Sequence, residues 1–203
     1  MFELYQPKEK ACPSRVEIDG DSVEINADFR NIIKILAVLK DKKIPQHMRV
    51  EKLIQWFFTD FQDIEPEVAI KAFNNFISPK QKNEQPTLEQ HYGEDLDEQG
   101  SQFDYYYDSE EIYASFMSEY GINILRIDFL HWYEFNYLLK NLSGESAFKK
   151  KIELRFMDLS VYSRDNQALA RMSKAKESVQ LPIEYSEEEL RKMEKFDSVW
   201  GRM

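Results

Sequence analysis

Cysteine, glycine and proline are scarce in this sequence: it has one, six and seven of them among 203 residues. The lone Cys12 excludes an intramolecular disulfide and a paired-cysteine metal site, and a chain with so little cysteine is typical of a reducing compartment. We therefore expect a harmless thiol at Cys12 and a cytoplasmic location. No apolar run approaches the roughly 20 residues that span a bilayer, and no signal-peptide pattern opens the chain. We accordingly expect no membrane partner.

Basic residues are outnumbered as well. The chain has 27 Lys and Arg against 37 Asp and Glu, for a formal net charge of −10. A phosphate backbone would be repelled unless a basic face were segregated, and the densest basic run is only 149–151, so we expect no nucleic-acid partner. The hydrophobic content of 42% and the aromatic content of 14% instead indicate a globular chain with its own core.

Motifs for catalysis and cofactor binding are lacking. The sequence contains no glycine-rich phosphate loop and no G-x-S-x-G turn, and Cys12 precedes Pro13 without a nearby histidine. We therefore predict no catalytic residues, no cofactor and no enzyme activity. The enzyme alternative, a small hydrolase, would require a deep pocket with convergent polar groups, and the sequence suggests none.

One pair of residues resembles part of a metal site. His131 and Glu134 are three apart and could face the same way on a helix, as metal ligands do in helical bundles. A site needs further convergent ligands, and the other histidines, His47 and His91, lie in a predicted helix start and a loop. We predict no metal, and we expect His131 to be hydrogen-bonded and partly exposed.

The N-terminal region, residues 1–78, is predicted to form a β-hairpin followed by three helices. The dipeptide Asp19-Gly20 is the strongest hairpin signal, and the apolar residues that alternate around it are Val16, Ile18, Val23 and Ile25. Three stretches with the three-four apolar spacing of amphipathic helices come next, opening at Asp28, Pro45 and Pro66. Short connections favour antiparallel neighbours in a bundle.

Residues 79–107 are predicted to form an acidic flexible linker or loop, because apolar periodicity vanishes there. Ten acids and two lysines lie between residues 79 and 111. Residues 108–203 are predicted as an aromatic-rich helical region that packs with the first. Its first helix has capping-box spacing at Asp108 and Glu111 and ends at Gly121. The later helices are expected to begin near Leu130, Ser143, Asp165 and Ser186.

The predicted fold class is mainly α: a helical bundle with a small N-terminal β-hairpin. Periodicity assigns the structural core to Phe29, Leu53, Phe57, Phe73, Phe116, Trp132, Leu138 and Phe156. Aromatic side chains are more numerous in the C-terminal region than a core of this size requires, and such side chains dominate binding hot spots. The candidate partner-binding residues are Tyr105, Tyr106, Tyr107, Tyr113, Tyr120, Tyr133, Tyr137 and Trp200.

Two long runs in the second half of the chain resemble a known family. The runs are FDYYYDSEEIYASFMSEYGINI and LHWYEFNYLLKNLSGESAFKKKIELRFMDLS, and VEINADFRNIIKILAVLKDKKIP resembles the N-terminal region of the same family. They are similar to the gene-product-fifteen family of tailed bacteriophages. Tyr133 stands where a second tryptophan is common in that family, a difference that leaves helix packing intact.

The resemblance implies a tail-assembly chaperone. Such a factor binds the tape-measure protein, helps the tail tube to assemble around it, and works in the host cytoplasm. Other tail proteins and a second copy of the chain are further candidate partners. The alternative is a minor structural tail or baseplate component that is retained in the virion.

Overall fold

The computed structural model describes residues 12–60, 64–78, 96–97, 100–101 and 103–182, and the chain divides into two compact units, Met1–Ile152 and Glu153–Met203. Helices dominate the described residues, which confirms the mainly α fold class. The helices are α1 (Phe29–Lys40), α2 (Gln46–Phe57), α3 (Pro66–Ile77), α4 (Ser109–Tyr120), α5 (Trp132–Lys140), α6 (Ala147–Phe156) and α7 (Asn166–Ser178). The strands are β1 (Arg15–Ile18), β2 (Asp21–Glu24), β3 (Leu96–Asp97) and β4 (Gly100–Ser101).

The N-terminal hairpin forms as predicted. Strands β1 and β2 are antiparallel, with Val16 opposite Val23. Asp19 and Gly20 both have positive φ, of 50° and 94°, which is the left-handed backbone of a two-residue hairpin turn. The inward-facing residues of the hairpin pack against the core, so this marginal element is stabilised by the helices beside it.

Helices α1 to α3 begin close to the predicted positions. The Asp28 side chain accepts a hydrogen bond from the Arg30 backbone N–H and so caps α1, while Pro66 occupies the first turn of α3. These helices bury an aromatic cluster in which the Phe57 ring meets Phe73 edge-on at 5.1 Å and Phe76 at 5.3 Å. Rings at these separations attract each other beyond their area of burial.

Helix α4 ends at Gly121, as predicted. Gly121 has φ of 65°, and the N–H groups of Gly121 and Ile122 donate to the carbonyls of Met117 and Phe116. This left-handed termination satisfies carbonyls that would otherwise lack a partner, and glycine adopts it without a Cβ clash.

Two later helices begin after their predicted positions. Helix α5 starts at Trp132 rather than near Leu130, because the Leu130 carbonyl pairs with the Phe29 N–H instead of with the helix. Helix α6 starts at Ala147 rather than near Ser143, because Ser146 supplies the cap: its hydroxyl oxygen accepts from the Lys149 N–H at 3.2 Å. In both cases a residue inside the predicted helix caps it, which shortens the helix.

The core contains most of the residues that periodicity assigned to it. Leu138 is half-buried at its edge. The prediction that Phe156 belongs to the core was wrong. Its side chain is 44% exposed, while its neighbour Arg155 is buried. The Arg155 Nε donates to the Val179 carbonyl at 2.7 Å, so the last turn of α6 turns arginine rather than phenylalanine inward. The predicted core residues that the structure buries are Phe29, Leu53, Phe57, Phe73, Phe116 and Trp132.

The second unit is built around α7. Asp165 caps this helix as predicted, accepting from the N–H groups of Gln167 and Ala168. Lys176 of α7 donates to the Met157 carbonyl at 2.7 Å, which ties the helix to the segment before it. The helix predicted near Ser186 lies outside the described residues. None of the helices in the described ranges combines the length and apolar character that crossing a bilayer requires.

We predict that truncation of Trp132 to alanine lowers the free energy of unfolding by about 3 to 5 kcal/mol, since the indole is buried against Phe135. Replacement by phenylalanine should cost clearly less. It keeps a ring in the cavity, and the indole Nε1 that it removes has no hydrogen-bond partner among the described residues. Urea unfolding of both variants measures the difference.

The control for this prediction is Phe129→Ala, which truncates an exposed ring. It should change stability by no more than about 0.5 kcal/mol. Equal losses from alanine and phenylalanine at Trp132 would contradict the prediction.

Candidate partner-binding surface

His131 caps helix α5 and is hydrogen-bonded, as expected. Its Nδ1 accepts from the Tyr133 N–H at 3.1 Å, and its Nε2 lies 3.1 Å from the Pro13 carbonyl oxygen. The Glu134 carboxylate accepts in return from the His131 backbone N–H at 3.3 Å, completing a capping box. The ring is buried rather than partly exposed, because it bridges the start of α5 and the segment before β1.

The pairing of His131 with Glu134 is therefore used for helix capping. Within residues 12–60, 64–78, 96–97, 100–101 and 103–182, no three His, Cys, Asp or Glu side chains come together as metal ligands. The candidate partner-binding residues are aromatic, so the exposure of each ring decides whether it can contact a partner.

Four candidate tyrosines are half-buried and join elements of the first unit: Tyr105, Tyr113, Tyr120 and Tyr133. The Tyr133 hydroxyl donates to the Phe76 carbonyl at 2.7 Å, and the Tyr120 hydroxyl donates to the Leu138 carbonyl at 2.9 Å. Burial raises the pKa of both phenols above the ordinary value. All four rings pack against the core, so they offer a partner less surface than an exposed ring would.

Three of the candidate partner-binding tyrosines are exposed to solvent. Tyr106 and Tyr107 are 79% and 49% exposed, and their rings meet edge-on at 5.2 Å. We call them the tyrosine pair. Tyr137 is exposed on α5, and Trp200 lies outside the described residues. Exposed aromatic rings present large, rigid contact area that water solvates poorly.

The backbone of the tyrosine pair is fixed by hydrogen bonds to Asp104. One carboxylate oxygen of Asp104 accepts from the N–H groups of Tyr106 and Tyr107, at 2.8 and 3.3 Å. The other oxygen binds the Lys40 ammonium at the end of α1, at 3.1 Å. Residues 103–107, predicted to belong to the linker, thus contact the helical core.

Asp108 was predicted to cap α4, but its side chain belongs instead to a charged cluster with Lys151 and Glu111. Asp108 is fully buried and makes no side-chain cap for α4, in contrast to the prediction. Its carboxylate instead accepts from the Asp104 N–H and lies 3.0 Å from the Lys151 ammonium. Lys151 also binds Glu111 at 2.8 Å and the Tyr107 carbonyl at 3.0 Å. Burial would lower the pKa of Lys151, but its hydrogen bonds to the two carboxylates raise it.

A second exposed apolar site lies in the loop that joins α4 to α5, residues 121–131. Leu125 and Phe129 in this loop are 72% and 56% exposed. We call them the loop pair. Sequence reasoning missed them, because the segment was treated only as a connection. A signal was present: these large apolar residues stand between Gly121 and Leu130, outside any helical period.

The loop pair is also fixed by hydrogen bonds to α1. The Arg30 guanidinium donates to the carbonyls of Ile127 and Asp128 at 3.0 and 2.9 Å, and it pairs with the Asp28 carboxylate. Burial would raise the pKa of Asp28, but the hydrogen bonds from Arg30 and Leu130 lower it overall. The exposed side chains are therefore presented by an anchored backbone.

The tyrosine pair and the loop pair are anchored at opposite ends of α1. Their anchors, Lys40 and Arg30, are ten residues apart, which is about 15 Å along a helix and about 80° around it. The candidate surface therefore consists of two exposed apolar sites in the first unit, whose anchors are separated by roughly three turns of α1.

Comparison with known families places the chain in a class, that of bacteriophage proteins: residues 9–181 match the family described as Bacteriophage Gp15 protein. The chain belongs to this family, which confirms the resemblance seen in the sequence. Membership points to a structural or head–tail-related role. No curated protein and no solved structure gave a match.

We predict that Lys151→Met lowers the free energy of unfolding by about 3 kcal/mol, because it leaves the buried Asp108 carboxylate without its countercharge. Lys150→Met is the matched control. Its partner Glu145 is exposed, so that pair should contribute no more than about 1 kcal/mol. Chemical denaturation measures the free energy of unfolding of both variants. Similar losses would show that the Lys151 cluster stabilises the fold no more than an exposed ion pair does.

Acid should remove the stabilisation that Asp28 provides. Its folded pKa lies below the usual 3.8, so the contribution is complete above about pH 4 and is lost as pH falls through the lowered folded pKa. Asp28→Asn should therefore cost about 1 to 2 kcal/mol at pH 7, and the cost should shrink progressively as the pH is lowered below about 4. Unfolding curves over a series of pH values from about 7 downward test this. A pH-independent difference would contradict it, and Glu17→Gln on the exposed face of β1 is the control.

Proposed function

We propose that this protein is a tail-assembly chaperone that binds the phage tape-measure protein and acts without catalysing a reaction. The observation that supports this proposal is the exposure of the tyrosine pair and the loop pair on backbone that is hydrogen-bonded to α1. Large apolar side chains on rigid, solvent-facing backbone mark a surface for another protein.

The partner's chemistry explains why such a surface is useful. A tape-measure protein is expected to be long and helical, and its apolar stripes would aggregate before the tail tube encloses them. A chaperone that covers part of a stripe with its own aromatic side chains lowers the free energy of the unassembled chain. Because both sites are preformed, little conformational entropy is lost on binding.

The spacing of the two sites suits a helical partner. Side chains about 11 residues apart on a helix are separated by roughly 16 Å, which is close to the distance between the anchors at the ends of α1. One helix could place an apolar side chain beside Tyr106 and another beside Phe129. Recognition of an amphipathic helix by spaced apolar contacts is a recurring mode of peptide binding.

Acidic residues support solubility of the complex. The segment 79–111 holds ten acids and two lysines, and the tyrosine pair lies near its end. Like charges on neighbouring complexes repel, which opposes aggregation while an apolar stripe is only partly covered.

A structural role in the mature tail is the second candidate, because rigid apolar sites serve permanent contacts as well as transient ones. Mass spectrometry of purified virions distinguishes the two. The chaperone proposal predicts that the protein is absent from the particle, whereas stoichiometric recovery would favour a retained tail or baseplate component.

We predict that replacing Tyr106 and Tyr107 together by alanine, or Phe129 by alanine, weakens binding of the tape-measure protein at least tenfold. Removing an interface aromatic typically costs about 1 to 4 kcal/mol. The melting temperature should be unchanged, because these rings are exposed. Co-expression with the tape-measure protein, pull-down and assay of its soluble fraction measure the effect.

The matched control is Val161→Ala, which truncates an exposed apolar side chain in the second unit and should leave binding intact. If the tape-measure protein is equally soluble with and without this chain and no complex forms, the chaperone proposal fails. If all the variants bind equally well, the partner uses a different surface.

A further inference from the structure

A small cavity lies between the first three helices, and its lining residues differ from the tyrosine pair and the loop pair. Its volume is about 160 Å³, and it is partly open to solvent. The lining comes from α1, α2 and α3: Leu39, Gln46, Arg49, Val50, Leu53, Ile70 and Asn74. Most of this lining is apolar, so the cavity favours an apolar group.

Arg49 is the one cationic residue in this lining. One terminal nitrogen of its guanidinium donates to the Leu39 carbonyl at 2.9 Å, at the end of α1. Its Nε is buried and has no hydrogen-bond partner among the described residues. A buried N–H without an acceptor costs free energy, and a cationic N–H binds a carboxylate more strongly than a neutral acceptor.

The surroundings of the cavity favour an anion. The segment 41–52 contains four Lys and Arg residues and two acids, although the whole chain carries −10. Lys42 and Lys43 are exposed in the turn that leads to Gln46 at the cavity. This local excess of positive charge raises the concentration of acidic groups near the opening.

We propose that this cavity is a docking site for an acidic peptide segment of a partner protein, with one apolar side chain as the anchor. The anchor fills the space between Val50, Leu53 and Ile70. A neighbouring carboxylate of the same segment is attracted by the charge of the Arg49 guanidinium and by the exposed lysines. This site is separate from the surface in the proposed function and does not depend on it.

The dimensions agree with a single anchor. A cavity of about 150 Å³ accommodates a ring of benzene size, so one leucine or phenylalanine side chain fits and two do not. A short segment with one anchor and one ionic contact should bind weakly when isolated, with a dissociation constant on the order of 1 mM.

The test titrates the full chain with three acetylated, amidated pentapeptides and follows backbone amide resonances by NMR. The peptides are Gly-Glu-Leu-Glu-Gly, its neutral analogue Gly-Gln-Leu-Gln-Gly and the anchorless Gly-Glu-Ala-Glu-Gly. We expect saturable shifts at Val50, Ile70 and Asn74 with the first peptide. Binding of the other two should be at least about fivefold weaker, since each lacks one contact.

Variants assign the charge preference to the guanidinium. Arg49→Met should bring the acidic and neutral peptides to equal affinity, while Arg171→Met, at an exposed arginine of α7, should leave the preference unchanged. Absence of localised, saturable shifts, or equal binding of all three peptides to the unmodified chain, overturns the proposal. That comparison needs no variant, so it holds even if Arg49→Met fails to fold. Loss of binding by Phe129→Ala would instead place the peptide on the surface of the proposed function.

Discussion

The first unit depends on a short antiparallel bridge between Asp28 and His131. The Phe29 N–H donates to the Leu130 carbonyl at 3.0 Å, and the Trp132 N–H donates to the Ala27 carbonyl at 2.8 Å. Asp28 caps α1 and His131 caps α5, so two helices from distant parts of the chain start at the same point. Their rings then stack, with the centroids of Phe29 and Phe135 4.5 Å apart.

This arrangement explains how large apolar side chains stay exposed on backbone that is hydrogen-bonded to the helical core. Leu125 and Phe129 are in a loop that must reach the bridge, and Arg30 holds the loop carbonyls beside α1. At the other end of α1, Lys40 and Asp104 hold the tyrosine pair. The exposed side chains are therefore a product of the same contacts that build the core, and a partner can bind them without first ordering the backbone.

Sequence reasoning succeeded where the signal is local. The Asp19-Gly20 turn, the Asp28 and Asp165 caps, Pro66 and the Gly121 termination each depend on backbone chemistry within a few residues. It failed at Asp108, whose capping-box spacing was correct but whose carboxylate pairs with Lys151, 43 positions along the chain. Sequence reasoning failed at Phe156 for the same reason. Arg155 is buried by a contact with a distant residue, Val179, and Phe156 in the last turn of α6 is therefore exposed.

The sequence by itself therefore determined the helical class, the hairpin and most of the core, because periodicity and capping depend on neighbours three or four residues away. The family followed from the resemblance of three long sequence runs. Only the tertiary structure decided which rings are exposed. Tyr133 is held inside by the Phe76 carbonyl, while Tyr106 points into solvent, although both belong to the same aromatic-rich region. Exposure depends on which distant parts of the chain pack against a side chain, and spacing along the sequence does not contain that information.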